Sequence, residues 1–185
     1  MNGKKLYRTF IAIDFPDSVI KEIARVQEIL QNLKFNGKMT ELENLHLTLK
    51  FLGGVDDNKL EDVRNKLKEI EFQEIEVKLV NIGTFSFRGD PRIIWIKVGA
   101  KGIFELQKKI DKVLEEIGFK KEERFMSHTT IARIKYVKDK DKFREYIKNV
   151  KLKEIKFKIK DFKLKESELR EMGPIYKDLE IYKLN

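Results

Sequence analysis

The chain has 185 residues, no cysteine and a formal charge of +9 at pH 7, with 41% apolar and 38% charged residues. That length gives one large domain or two small intertwined lobes, with ample apolar content for a core. Disulfides and thiolate metal sites are excluded, and no apolar run approaches the roughly 18 residues of a membrane span. The positive excess suits either a nucleic-acid partner or the Lys- and Glu-rich balance of proteins adapted to heat.

The N-terminal Met1-Asn2-Gly3-Lys4-Lys5-Leu6-Tyr7-Arg8 runs directly into strand-like Phe10-Ile11-Ala12-Ile13. We therefore expect no signal peptide and a cytoplasmic location. Pro16-Asp17-Ser18 is helix-opening chemistry, with proline suited to a first turn and Asp or Ser to a cap. Ile20, Ile23, Ala24, Gln27 and Leu30 follow at helical spacing. Leu45 to Leu52 reads as a strand closed by Gly53-Gly54. Asp56-Asp57-Asn58 caps a helix through Leu60, Val63, Leu67 and Ile70, and Ile75 to Val80 is a strand. A second strand–helix–strand passage follows: Ile93 to Ile96, then a helical stripe of Ile103, Leu106, Ile110, Val113, Leu114 and Ile117, then a strand opening at His128. A helix over about Lys140 to Lys148 and strands at Ile155 to Ile159 and Leu179 to Tyr182 complete the chain.

The stretch from Lys151 to Lys165 is dense in lysine. Lys156, Lys158 and Lys160 alternate with Ile155, Phe157 and Ile159, giving one basic face. The phase then flips at Phe162 and Leu164, which a bulge near Lys160-Asp161 would reconcile. Such a face suits an RNA backbone track or the protection of a sheet edge, and we expect the second.

The chain contains only two histidines. His46-Leu47-Thr48-Leu49 and His128-Thr129-Thr130-Ile131 both read His, any residue, Thr, apolar. With 41% apolar residues, six threonines and four serines, a random histidine would meet this pattern about 2% of the time, and both on the order of once in two thousand. The spacing agrees with duplication: Ile11 to His46 is 35 residues (46 − 11), and Ile93 to His128 is also 35 (128 − 93). An internal repeat related by a pseudo-twofold is the expectation.

Residues i and i+2 of a strand share a face. His46 therefore points with Thr48, and His128 with Thr130, while Leu47, Leu49 and Ile131 point away. If the halves are related by a twofold, both polar pairs face one cleft. Histidine titrates near neutrality. One imidazolium can protonate a leaving oxygen while one neutral imidazole deprotonates an attacking water or hydroxyl. Two threonine hydroxyls can donate to non-bridging phosphate oxygens. That fits phosphodiester chemistry without a metal. Two histidines are too few for a catalytic zinc site. Asp56-Asp57-Asn58 lacks calcium-loop spacing. No Walker-type lysine loop or dinucleotide glycine fingerprint occurs, so we expect no cofactor.

At these residues the chain resembles the 2H phosphoesterase superfamily, and most of all its 2′-5′ RNA ligase branch, usually described as RNA 2′,3′-cyclic phosphodiesterase. The resemblance runs from Arg8-Thr9-Phe10-Ile11-Ala12-Ile13 through His46 to Gly53, Ile93-Ile94-Trp95 and His128 to Arg133. It ends at Ser167-Glu168-Leu169 with Gly173-Pro174-Ile175-Tyr176. It implies an α+β fold of two pseudo-twofold-related lobes, with antiparallel sheets flanked by helices around a central cleft, in a single domain spanning 1–185. It also implies hydrolysis of an RNA-terminal 2′,3′-cyclic phosphate to a 2′-phosphomonoester, and a reverse ability to form 2′-5′ linkages without ATP. By motif position His46 is the proton donor, His128 the proton acceptor, and Thr48 and Thr130 the phosphate holders. Arg133 matches an arginine of the family block, although simple alternation puts it on the face opposite His128 unless a bulge re-aims it. The implied partner is an RNA end bearing the cyclic phosphate, with no membrane and no obligate protein partner; the oligomeric state is left open. Two other readings remain at this point: a non-catalytic RNA-binding module, and a phosphodiesterase acting on a small cyclic nucleotide.

Overall fold

The computed structural model describes residues 5–171 and 173–185, so Met1 to Lys4 of the N-terminal segment lie outside the described residues. In chain order the elements are β1 (Tyr7–Asp14), α1 (Asp17–Gln31), β2 (Phe35–Met39), β3 (His46–Val55), α2 (Asp57–Lys68), β4 (Ile75–Phe87) and β5 (Asp90–Gly99). They continue with α3 (Lys101–Glu115), β6 (His128–Val137), α4 (Lys140–Asn149), β7 (Lys156–Ile159), β8 (Asp161–Arg170) and β9 (Gly173–Lys183). The strands form two antiparallel sheets, one in the order β3-β1-β8-β9 and the other β2-β6-β5-β4-β7.

The duplication is visible in this order. β1, α1, β3 and α2 recur as β5, α3, β6 and α4. The halves exchange strands: β4 lies beside β5 in the second sheet, and β8 beside β1 in the first. β3 and β6, the two histidine strands, adjoin where the sheets meet.

Helical periodicity supplies the packing faces. α1 buries Val19, Ile23, Val26 and Leu30, and α3 buries Ile103, Leu106, Ile110 and Leu114, each set at intervals of three or four. Both join one core with Ile11, Leu47, Ile94 and Ile131. Full burial of each such side chain stabilises by about 1.5–3 kcal/mol. The side chain of Asp56 accepts from the Lys59 amide and that of Asp139 from the Lys142 amide, so both later helices are capped as their sequence suggests. α1 differs from expectation. Pro16 itself is the N-cap with no side-chain bond, and Asp17 opens the helix, where its charge suits the dipole.

The structure departs from the sequence reading in three places. β2 was not anticipated, because Phe35-Asn36-Gly37-Lys38-Met39 shows little apolar alternation. β4 runs on to Phe87, through Asn81 and Gly83 that look like strand breakers. No bulge occurs at Lys160-Asp161. The phase flips because Lys160 is where the chain leaves β7 in one sheet and enters β8 in the other. Lys156 and Lys158 lie exposed on β7, a sheet edge three strands from β6, and Lys158 pairs with Glu74 at 3.3 Å. That placement suits edge protection rather than a track into the cleft. No helix among the described residues is long and apolar enough to cross a membrane.

Leu67 in α2 is fully buried. Leu67→Ala should lower the unfolding free energy by about 2–5 kcal/mol, read from urea denaturation, through lost transfer energy and the cavity left behind.

Candidate active site

Each histidine is the first residue of its strand, and each is fixed in the same way. The Nδ1 of His46 lies 2.8 Å from the Asn44 carbonyl, and the Nδ1 of His128 lies 2.7 Å from the Met126 carbonyl. A carbonyl can only accept, so Nδ1 carries the hydrogen and donates it. Nε2 is then left on both rings to take or give a proton. The bond reaches back two residues in both cases. Before His46 the accepting residue, Asn44, ends a short turn at Leu42–Asn44.

Aromatic walls hold the rings. His46 sits against Phe10 at 5.0 Å and edge-on to Tyr176 at 5.1 Å between ring centroids. His128 is edge-on to Phe85 at 5.1 Å, and Phe85 leans on Trp95 at 5.5 Å. Gly83 permits this second wall, because a Cβ there would run into the Trp95 ring. Burial pushes the His46 imidazole down to about 4; the Asn44 carbonyl opposes this, Lys165 and Arg133 push the same way as burial, and Asp14 pushes back. Burial also lowers His128, opposed by the Met126 carbonyl.

Thr48 and Thr130 are half-buried beside their histidines, while Leu47, Leu49, Thr129 and Ile131 are buried on the opposite face. Among the described residues neither the Thr48 nor the Thr130 hydroxyl has a hydrogen-bond partner. Arg133 reaches the cleft face through a bulge. Ile94 pairs with Ala132 and Trp95 with Thr130, so Ile131 is an extra residue in β6. Ile131 and Ala132 both turn inward, and Arg133 emerges exposed, close enough to act electrostatically on His46 and Tyr176 of the other lobe. β3 carries the matching bulge at Leu49. It brings Phe51 to the cleft face with 70% of its surface exposed, 6.1 Å from the Phe10 ring.

Several site residues had no individual signal in the sequence. Phe10 and Asp14 stand on β1 beside β3, Asp14 directly across from His46. Arg8 shares their face by alternation and acts on Tyr176. Phe85 lies on the part of β4 that the sequence reading cut short. Trp95 faces Thr130 across the β5–β6 ladder, a pairing that becomes visible only once the register is known. Lys163 and Lys165 also line the first sheet. Each bonds both Asp14 and Asp178 at 2.6–2.9 Å, so the four charges form a neutral cluster whose lysines are already engaged.

A motif histidine paired with a threonine, presented twice across one cleft, is the signature of the two-histidine phosphoesterases. The sequence model of the family described as LigT like Phosphoesterase matches residues 13–95 and 97–176, and the chain belongs to that family. The chain is 41% identical over 145 residues to the RNA 2′,3′-cyclic phosphodiesterase of Methanocaldococcus jannaschii, covering 78% of this chain and 81% of the relative. It is 34% identical over 175 residues to the Thermotoga maritima protein of the same name, covering 93% and 92%. Among solved structures, TT0787 of Thermus thermophilus superposes with a TM-score of 0.80 at 24% identity, covering 96% of this chain and 97% of that one. Escherichia coli LigT complexed with 3′-AMP superposes with a TM-score of 0.78 at 21% identity, covering 97% and 99%. These two likenesses are of fold.

Proton NMR of the free protein should show both imidazoles titrating below 6.5, with His46 near 4. A His46 midpoint at or above 6.5 would contradict the burial described here.

Proposed function

We propose that residues 1–185 work as one domain that hydrolyses an RNA-terminal 2′,3′-cyclic phosphate to a 2′-phosphomonoester without a metal ion. The observation that carries this reading is the pair of matched histidines, each with Nδ1 donating to a backbone carbonyl and Nε2 left for proton transfer. The names of the relatives at 41% and 34% identity support the substrate.

In the forward step a water oxygen bonds to phosphorus as the P–O3′ bond breaks. The water gives a proton to Nε2 of His128, and Nε2 of His46 gives its proton to the departing O3′. The hydroxyls of Thr48 and Thr130, with the guanidinium of Arg133, hold the non-bridging oxygens on which charge accumulates. A 5′-hydroxyl in place of water gives a 2′-5′ phosphodiester, and the reverse of that exchange opens one. No nucleotide is consumed in either direction.

The burial of His46 means that its ring is neutral in the free protein at pH 7. The donor's proton is then favoured by the arriving phosphate anion, which replaces lost hydration with a negative neighbour. For kcat/KM, which reports the free protein, the productive form carries one charged and one neutral ring. Its population peaks between the two pKa values, both below 6.5. The kcat/KM profile should therefore be bell-shaped with its maximum on the acid side of pH 6.5. A maximum above pH 7.5 would show that free-state burial does not govern protonation.

His46→Ala and His128→Ala should each lower kcat on an oligonucleotide 2′,3′-cyclic phosphate by about 10²–10⁴ with the fold intact by circular dichroism. EDTA should leave the rate unchanged. Full activity in either variant, or strict dependence on an added divalent ion, would defeat the assignment. The product isomer tests the two roles: a 2′-phosphate requires O3′ to leave on the His46 side, and a 3′-phosphate would exchange the partners.

A further inference from the structure

The two bulges that shape the cleft are each held by a helix of the opposite half. Gln27 lies in α1 and Asp111 in α3, each ten residues after the first residue of its helix (27 − 17; 111 − 101). Both are buried polar side chains within apolar faces, at 7% and 5% exposure. Gln27 Nε2 donates to the Thr40 carbonyl at 2.8 Å and to the Ile131 carbonyl at 2.9 Å. Ile131 is the extra residue of the β6 bulge. Asp111 takes a hydrogen bond and an ion pair from Lys50, the residue just after the β3 bulge. It also accepts from Gln107 Nε2 at 2.6 Å and from the Glu122 amide at 3.1 Å. Lys50 in turn donates to the Lys120 carbonyl at 2.7 Å, inside the segment that delivers His128. The first half thus clamps the second half's histidine strand, and the second half clamps the first's.

We propose that these reciprocal clasps are positioning devices that fix the bulges, and that Gln27 in particular aims Arg133 into the cleft through the Ile131 carbonyl. A bulge depends on which backbone groups find partners. Ile131 oxygen already accepts from the Thr40 amide at 2.9 Å, so Gln27 supplies the second bond that holds the extra residue against helix α1. Without it β6 can return towards plain alternation, which turns position 133 to the other face. Gln27 itself lies beneath the sheet and touches no substrate.

The test uses Gln27→Met, which keeps the volume and removes both donors, alone and combined with Arg133→Ala. The first readout is the His46 titration by NMR, which needs no substrate. Lys165 from β8, Asp14 from β1 and Arg133 from β6 all face His46, and the variants leave the first two in place. Removing Arg133 should raise the His46 midpoint. Gln27→Met should raise it in the same direction, and adding Gln27→Met to Arg133→Ala should change nothing further. The second readout rests on the phosphodiesterase reading: Gln27→Met should lower kcat/KM about tenfold in the wild-type background and hardly at all in the Arg133→Ala background. A merely destabilising change such as Leu67→Ala would multiply with Arg133→Ala instead. If Gln27→Met fails to fold, Gln27→Asn, too short to bridge both carbonyls, takes its place under the same criterion. Additive effects, or a His46 midpoint unmoved by either Gln27 or Arg133, would overturn the proposal. Absence of cyclic-phosphate turnover in the unaltered protein would overturn the phosphodiesterase reading alone and leave the titration arm standing.

Discussion

A β-strand has two faces, and each histidine strand of this protein must serve both along ten residues. The inward face has to be apolar to seal the core under the helices. The cleft face has to carry a histidine, a threonine and then one more contact. Strict alternation delivers the first two and then sends the position five residues after each histidine into the core. In β6 that position is Arg133, whose guanidinium could not be buried there without a partner. The extra residues Leu49 and Ile131 resolve the conflict, because two successive side chains turn inward and the next returns to the cleft. The reach of Arg133 towards His46 and the exposure of Phe51 both follow from those two irregularities.

This also explains what could be read in the sequence and what could not. The histidine–threonine pairs are local facts of order, and they point to the duplication and the motif strands, whereas the fold class follows from the family resemblance those motifs carry. The equal spacing from Ile11 and Ile93 is off by one in the ladders, where Ile11 lies across from Lys50 and its counterpart Ile94 across from Ala132. A bulge is a relation between two strands, so it leaves no mark on one of them. The question of where Arg133 points could be posed from alternation but answered only by the pairing of Ile94 and Trp95. β2 escaped notice because its fit depends on a neighbour: Gly37 lies where a Cβ would collide with the Arg133 carbonyl. The alternation of Phe162 and Leu164 marks the run that becomes β8, but not that it changes sheet, nor that Lys163 and Lys165 beside them turn to Asp14 and Asp178. Gln27 was recognised as part of a helical stripe, but nothing in its spacing shows that its amide crosses to the other lobe.

The positive excess reads differently once the pairs are known. Many of the 40 basic side chains are engaged in exposed contacts such as Lys140 with Asp90 and Lys66 with Glu69 and Glu116, each worth little individually, and such pairs leave the excess itself untouched. The cations open to an anionic ligand are those on the cleft face that have no carboxylate partner among the described residues. Arg133 and Arg8 both act on Tyr176 from different sheets, and Lys97 stands directly across from His128. A net charge of +9 is thus a poor guide to where RNA would lie. On the proposed reading, the few cations around the two strand ends that lack a carboxylate partner among the described residues would carry more of the recognition than the lysine-rich segment.

Duplication begins with two equal histidines, and an acid and a base must become unequal. The departures from symmetry all occur at matched positions. Asp14 faces His46 where Lys97 faces His128. Phe51 occupies in β3 the place that Arg133 holds in β6. Lys50, buried and tied to Asp111, corresponds to the small Ala132. The first histidine therefore sits in a deeper pocket with charges of both signs around it, and the second in a shallower one whose shift has no charged contributor. Identical tethers through Nδ1 keep both rings in the same tautomer, so the difference in proton affinity comes from the surroundings and not from the motif. On the proposed reading, a histidine pair built in this way needs no new residue type to divide acid from base. It needs only that the strands opposite each histidine diverge while the motif strands, held by the crossed helices, keep their common shape.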